Sequence, residues 1–120
     1  MANEITGKLT LKASKGGANV ARSESFSIDM TGESFYHGVQ NISTGNETLE
    51  IYELSNFDST ETGICFLKNL DDTNYVEIGL TSSYTIKLLA GECALFRAAG
   101  TLFARANTTA VELEILMLEL

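Results

Sequence analysis

Residues 63–80 read GICFLKNLDDTNYVEIGL, and residues 84–120 read YTIKLLAGECALFRAAGTLFARANTTAVELEILMLEL. Both stretches repeat one pattern, in which a short run of alternating apolar and polar side chains ends at a turn that carries Gly, Asn or Asp. Alternation with a period of two is typical of β-strands that bury one face. Short strands at regular spacing, each with one apolar face, favour antiparallel pairing in a sandwich or barrel. The second half of the chain therefore predicts an antiparallel β-sandwich.

The first half of the chain continues this pattern less regularly. Alternation over residues 5–11 and 20–30 predicts two strands, with a loop or hairpin turn at Gly16-Gly17 between them. Residues 35–42 form a weaker candidate strand because their apolar side chains fall on both faces. With about nine or ten strands in all, we expect one all-β domain over residues 1–120, an antiparallel β-sandwich with jelly-roll-like connectivity. The least regular part is predicted as a strand over 49–54 and a long loop over 55–63.

Length, composition and net charge narrow the class of protein. The chain has 120 residues, 44% of them apolar, which suits one domain with its own core. The net charge of −8 at pH 7 opposes binding to phosphate backbones and to anionic membranes, so we expect no nucleic-acid partner and no membrane partner. The start, MANEITGK, lacks the apolar region of a secretory signal, which predicts a soluble protein made in the cytoplasm.

Basic residues are concentrated at the start of the chain. Residues 1–22 hold four basic residues against Glu4 alone, a net +3, whereas residues 23–120 hold four basic against fifteen acidic residues, a net −11. One interpretation is a solvated, extended basic N-terminal segment. The other is an arm that docks on an acidic neighbour, such as another copy of the protein. The candidate interface residues of this segment are Lys8, Lys12, Lys15 and Arg22.

The last predicted strand is apolar on both faces in its second half. Val111, Leu113, Ile115 and Met117 alternate onto one face, and Glu112 and Glu114 begin the other. That second face then becomes apolar, and a lone domain does not easily cover both faces of such a strand. Coverage comes either from another loop or from a second subunit. The candidate subunit interface consists of Leu116, Leu118 and Leu120.

The residue types that carry catalysis are scarce. His37 is the only histidine, so a multi-histidine metal centre is excluded, and no G-x-S-x-G motif accompanies it as a nucleophile elbow would require. We expect His37 to lie on a strand near the surface. The sequence predicts no catalytic residue, no cofactor and no enzymatic activity.

Two smaller groups of residues are considered as metal or redox sites. Asp71, Asp72 and Asn74 offer oxygen ligands of the kind that Ca²⁺ prefers, but the EF-hand spacing is missing and tight turns favour the same residues. We therefore expect a turn and no metal site. Cys65 and Cys93 lack the C-x-x-C spacing of a redox pair or zinc site, so buried free thiols are expected.

Four segments of the second half resemble one family of proteins. They read FLKNLD (66–71), YVEIG (75–79), IKLLAGECALFR (86–97) and LFARAN (102–107). Residues 63–119 thereby resemble the C-terminal half of small virion proteins of tailed bacteriophages. The resemblance implies a β-sandwich or jelly-roll module without catalytic residues, located in the virion after synthesis in the cytoplasm of the host bacterium. Such proteins include capsid cement or decoration proteins, often trimers, and components of the head–tail junction or tail.

From the residues and this resemblance together, we expect a capsid cement or decoration protein that stabilises the phage head through contacts between subunits. Its expected partners are copies of itself, as a homotrimer, and the major capsid protein or other virion proteins. A head–tail connector or tail component is the alternative within this class. The alternative of another class is a carbohydrate-binding module, which would stack sugar rings on exposed aromatics. The candidate aromatics are Tyr36, Tyr52, Tyr75 and Tyr84.

Overall fold

The computed structural model describes residues 4–30, 35–49, 63–80, 83–98 and 101–119. Over these residues the protein is all-β, with ten strands, no helix and antiparallel pairing throughout. The chain divides into two compact units, residues 1–31 and residues 32–120. Each unit is described by itself below.

The first unit is a long β-hairpin. Strand β1 (Ile5–Lys15) pairs with β2 (Ala18–Ile28) in an unbroken register that begins at Ile5 opposite Ile28. The turn between them takes only Gly16 and Gly17, at φ of 60° and 85°. A two-residue hairpin turn of this kind requires positive φ at both positions, which glycine adopts without steric cost. The Gly-Gly pair therefore fixes the register of the whole hairpin.

The second unit contains two four-stranded antiparallel sheets in a sandwich-like arrangement, which confirms the predicted fold class. In the first sheet the order is β3-β10-β5-β8, and in the second it is β4-β9-β6-β7. The jelly-roll connectivity remains a prediction. The strands are β3 (Phe35–Ile42), β4 (Glu47–Thr48), β5 (Ile64–Asn69), β6 (Val76–Leu80), β7 (Ser83–Leu88), β8 (Cys93–Arg97), β9 (Phe103–Ala106) and β10 (Val111–Leu118).

The core lies between these two sheets. Leu113, Ile115 and Met117 of β10 are fully buried, as the alternation of the last strand predicted. They belong to one cluster of buried side chains with Leu67 of the same sheet and Ile78 of the other. Burying one such side chain contributes about 1.5–3 kcal/mol, so this cluster is the main source of stability in the second unit.

One strand is short, and two predicted elements lie largely outside the structure. The short strand β4 begins at Glu47 and pairs briefly with β9. The predicted strand over 49–54 and loop over 55–63 fall almost wholly outside the described residues. The last strand in sequence, β10, lies between β3 and β5, so it is an interior strand of its sheet. Its neighbours on both sides complete the hydrogen bonding of its backbone.

Candidate interface surfaces

The outer face of the β3-β10-β5-β8 sheet carries large apolar side chains in adjacent rows. One row runs across the sheet from Phe35 to Leu118 and Ile64, because these residues are paired in the register. The next row brings together Leu116, Phe66 and Leu95, with His37 at its β3 end. Side chains alternate between faces along a strand, so both rows lie opposite the core-facing residues. We call this surface the outer apolar strip: Phe35, Ile64, Phe66, Leu95, Leu116 and Leu118.

The strip retains considerable exposure to solvent. Phe35 is 66% exposed, and Val39, four residues along β3, is 50% exposed. Leu116, Leu118, Phe66 and Leu95 are half-buried, and Ile64 is buried at 8% exposure, so the strip is most exposed at its β3 edge. Contiguous exposed apolar surface of this kind marks sites of interaction with other molecules.

Polar groups border the strip. His37 Nε2 lies 2.8 Å from Glu114 Oε2, and the Asn41 side chain donates a 2.9 Å hydrogen bond to Glu112. Arg97 lies at the end of the first row, on β8. An apolar centre with a polar rim is the usual anatomy of a protein–protein interface.

The outer face of the second sheet is different in character. Arg105 donates a 3.0 Å hydrogen bond to Glu77, and its guanidinium lies 4.4 Å from the centre of the Tyr84 ring. Lys87 lies 4.1 Å from the centre of the Tyr75 ring. Charged side chains thus lie against the aromatic rings of this face, which is typical of a solvated sheet surface.

One face of the hairpin in the first unit carries its apolar side chains together with Lys15, Arg22 and Glu24, and the other face is polar. Leu9 is 47% exposed, Leu11 76% and Val20 66%, and the register places all three on the same face. The opposite face carries alternating Thr, Lys and Ser side chains from both strands. We call the first surface the hairpin apolar face: Leu9, Leu11, Ala13, Val20 and Phe26.

The four basic residues singled out from the sequence all lie on this hairpin. Lys8 and Lys12 lie on its polar face, whereas Lys15 and Arg22 share the face of Leu11. Arg22 forms a 3.1 Å ion pair with Glu24, but both side chains are mostly exposed, so the pair contributes little stability. Four basic residues against Glu24 give the hairpin strands a net charge of +3.

The structure groups the predicted interface residues into these two surfaces. Leu116 and Leu118 lie in the outer apolar strip, and Leu120 lies outside the described residues. Sequence reasoning missed Phe35, Phe66 and Leu95, which the register places beside them. The signal for Phe35 was present, because the mixed apolar pattern over residues 35–42 indicates a strand with apolar side chains on both faces.

Asp71, Asp72 and Asn74 form a turn between β5 and β6. Asp71 Oδ2 accepts hydrogen bonds from the backbone N–H groups of Asn74 at 2.6 Å and Thr73 at 2.9 Å, and these bonds lower the pKa of Asp71. The fully buried Asn69 side chain donates to the carbonyls of Asn74 at 2.8 Å and Leu88 at 3.1 Å. The Asp71 carboxylate therefore caps its own turn. Among the described residues no group of three potential metal ligands lies together.

The cysteines and the histidine lie in different environments. Cys65 is fully buried, and burial raises the pKa of its thiol to about 12. Cys93 is exposed on the outer face of β8, so the expectation of two buried thiols was wrong for this residue, which faces away from the core. Both cysteines are free. His37 lies on β3 with about half of its side chain exposed, as expected for a strand residue near the surface.

Of the tyrosines considered as sugar platforms, Tyr75 and Tyr84 carry a cation against the ring, and Tyr36 packs against the core. Tyr52 lies outside the described residues. No helix in the described part of the chain is long and apolar enough to cross a membrane.

Comparison with known proteins gives no relative: no protein-family model, no curated protein and no solved structure matches this chain. The resemblance of residues 63–119 to phage virion proteins therefore stays a prediction.

Proposed function

We propose that this protein is a structural component of a bacteriophage particle, a capsid cement or decoration protein that stabilises the head through contacts between subunits. The observation that carries the proposal is apolar surface exposed in two places, the outer apolar strip and the hairpin apolar face. Exposed surface of this kind in a small acidic domain favours binding to other proteins. The resemblance of residues 63–119 to phage virion proteins is the reason for proposing a phage particle as the assembly to which this protein binds.

We also propose that the eight strands of the second unit have jelly-roll connectivity. They pair as a nested series, in which β3 pairs with β10, β4 with β9, β5 with β8 and β6 with β7. Folding such a nested ribbon over on itself produces two four-stranded sheets with the orders seen here. Double-sheet jelly rolls are common in viral capsid proteins, so this connectivity favours a virion role.

The proposed mechanism is the addition of many modest contacts across the capsid surface. A stable interface buries about 800 Å² on each partner, and apolar area contributes about 25 cal/mol per Å² before the costs of association. Each contact made by a domain of 120 residues is therefore limited. Repetition around a trimer and over a capsid lattice makes the combined attachment strong even where each contact is weak.

The test combines native mass with capsid binding. Light scattering after size exclusion should give a discrete trimer, and the purified protein should co-sediment saturably with phage heads that lack their own cement protein. A closed ring that binds the portal vertex, and not the capsid faces, would favour the connector or tail alternative. A monomer that ignores phage particles and binds a glycan would overturn the proposal in favour of a carbohydrate-binding module.

A further inference from the structure

The hairpin of residues 5–28 exposes apolar side chains, which contribute no stability to an isolated hairpin because they are not buried. A two-stranded hairpin is marginally stable at best in water unless a third strand or another surface covers its apolar face. Here Leu11 is 76% exposed and Val20 66%. Both strands nevertheless keep an unbroken register over eleven residues each. A covering surface supplied by another molecule would account for this combination.

Charge indicates which molecule supplies that surface. The hairpin strands carry a net +3, and the whole first unit a net +1 once Glu4 and Asp29 are counted, so charge gives two hairpins no reason to pack face to face. Residues 32–120 hold four basic against thirteen acidic residues, a net −9. The second unit of another copy therefore attracts the hairpin at long range, while on the outer face of the β3-β10-β5-β8 sheet Glu112 and Glu114 balance Lys68 and Arg97.

The character of its two outer faces indicates where on that unit the hairpin docks. The outer face of the β4-β9-β6-β7 sheet carries the ion pair of Arg105 with Glu77, and Lys87 lies against Tyr75. None of the large apolar side chains exposed in the described part of the chain lies on a strand of this sheet, so this face offers the hairpin little apolar area to bury. The outer apolar strip on the other sheet offers large apolar side chains in its place, among them Phe35 at 66% exposure.

The dimensions of the two surfaces agree. The exposed part of the hairpin apolar face runs from Leu9 to Ala13, which spans about 14 Å at roughly 3.4 Å per residue. The outer apolar strip crosses four strands, which also spans about 14 Å at roughly 4.8 Å between strands. One hairpin laid across the strands therefore covers the strip in a single layer.

We propose that the hairpin apolar face of one copy packs on the outer apolar strip of a second copy. This inference rests on the proposed function, since it identifies the contact through which the subunits assemble. The two surfaces differ, so two copies would close by exchanging hairpins, and three or more would close as a ring of which the trimer is the smallest. The proposed function favours the trimer. Each copy then donates its hairpin to one neighbour and receives a hairpin from the other.

The experiment uses two complementary full-length variants. Leu11→Asp removes the apolar contact from the hairpin, and Phe35→Asp places a charge in the strip at its most exposed position. Each variant alone is expected to be monomeric by light scattering, with self-association weakened at least about tenfold, equivalent to ~1.4 kcal/mol. An equal mixture should form a one-to-one heterodimer, because the Phe35→Asp copy keeps its hairpin and the Leu11→Asp copy keeps its strip.

Matched controls place the same charge on the faces that the proposal leaves free. Ser25→Asp lies on the polar face of the hairpin, and Thr85→Asp lies on the second sheet; both should assemble like the unmodified protein. Circular dichroism and cooperative unfolding establish that each variant is folded. Leu118→Asp serves as a second strip variant if Phe35→Asp does not fold.

Three results would overturn the inference. They are a monomeric unmodified protein, a Phe35→Asp variant that assembles normally, and a mixture of the two monomeric variants that stays monomeric. Binding of the unmodified protein to phage heads, measured separately, decides the proposed function. A protein that binds heads while failing the mixing test refutes this contact and leaves the virion role standing.

Discussion

Gly79 shows how a single missing side chain shapes the second unit. It lies where the register between β6 and β7 shifts, and a Cβ atom built there would come within 2.6 Å of the Ser83 carbonyl oxygen and 3.0 Å of the Thr85 nitrogen. Both are backbone atoms of the neighbouring strand, so neither moves without disturbing β7. Only glycine allows the two backbones to approach this closely.

Gly79→Ala should therefore lower the free energy of unfolding by about 2 kcal/mol, the usual cost of overpacking a site that cannot relax. Gly45→Ala is the matched control, because the nearest atom to its added Cβ would be Ser43 Oγ at 3.8 Å. That variant should stay within about 0.5 kcal/mol of the unmodified protein. Urea denaturation measures both. Equal stability of the two variants would show that β7 shifts freely at the bulge.

The two thiols should differ in reactivity and in their effect on stability. Cys65 is buried with its pKa raised from 9.0 to about 12, whereas Cys93 is exposed. A thiol reagent at pH 8 should modify one cysteine quickly, and Cys93→Ser should remove that fast phase. Two fast thiols in the folded protein would contradict the burial of Cys65.

The same pKa shift predicts a pH dependence. Between pH 9 and about 12 the unfolded chain loses the Cys65 proton while the folded chain retains it. The folded state then binds more protons, so its stability is complete below pH 9 and declines as the pH rises through this interval. Replacing Cys65 with Ala should flatten this decline in a series of denaturation curves. An unchanged slope in the variant would assign the alkaline loss to other groups.

At the scale of elements, the turn between β5 and β6 is organised by one buried amide. Asn69 donates to two carbonyls, and its Oδ1 accepts a 2.9 Å hydrogen bond from the Asp71 N–H. A buried polar side chain with three backbone partners connects this turn to the end of β7. The Asn69 side chain thus provides hydrogen-bond partners for backbone groups that would otherwise be buried without one.

Asn69→Ala should destabilise the protein by about 2–4 kcal/mol, because buried backbone groups lose their partners. Asp72→Ala in the same turn should change stability by less than about 0.5 kcal/mol, since Asp72 is exposed and bonds only the neighbouring Thr73 hydroxyl. Thermal or urea unfolding compares the two variants. A loss in Asn69→Ala no larger than that in Asp72→Ala would mean that water takes over the three hydrogen bonds.

The limits of sequence reasoning are also visible in individual elements. The inner face of β10 was predictable, because alternation from Val111 to Met117 depends only on neighbouring residues. The position of β10 between β3 and β5 was not, since strand pairing joins residues far apart in sequence. For the same reason Leu116 was predicted as an interface residue, but its neighbours Phe66 and Leu95 were not. The hairpin was predictable to its turn because its contacts are local.

For the whole molecule, the separation of charge should govern the rate of assembly. The hairpin strands of one copy, net +3, attract the second unit of another copy, net −9. At 0.1 M salt, screening limits the range of this attraction to about 10 Å. Lys12→Glu, on the polar face of the hairpin, should slow association and reduce its salt dependence while changing dissociation little. Stopped-flow light scattering measures both rates. The control is Lys12→Arg, which keeps the charge of the hairpin and should leave both rates unchanged, and a rate that salt does not alter would exclude electrostatic guidance.

The interior position of β10 has a consequence for synthesis. Phe35 and Ile64 both pair with Leu118, so the β3-β10-β5-β8 sheet cannot be completed until residue 118 has left the ribosome. Until then β3 and β5 each present an unpaired edge, which is prone to pair with other chains. The nascent protein therefore needs low local concentration or a chaperone for longer than a protein whose neighbouring strands follow one another in sequence. Synthesis of many copies close together on one messenger RNA should therefore increase misassembly between nascent chains.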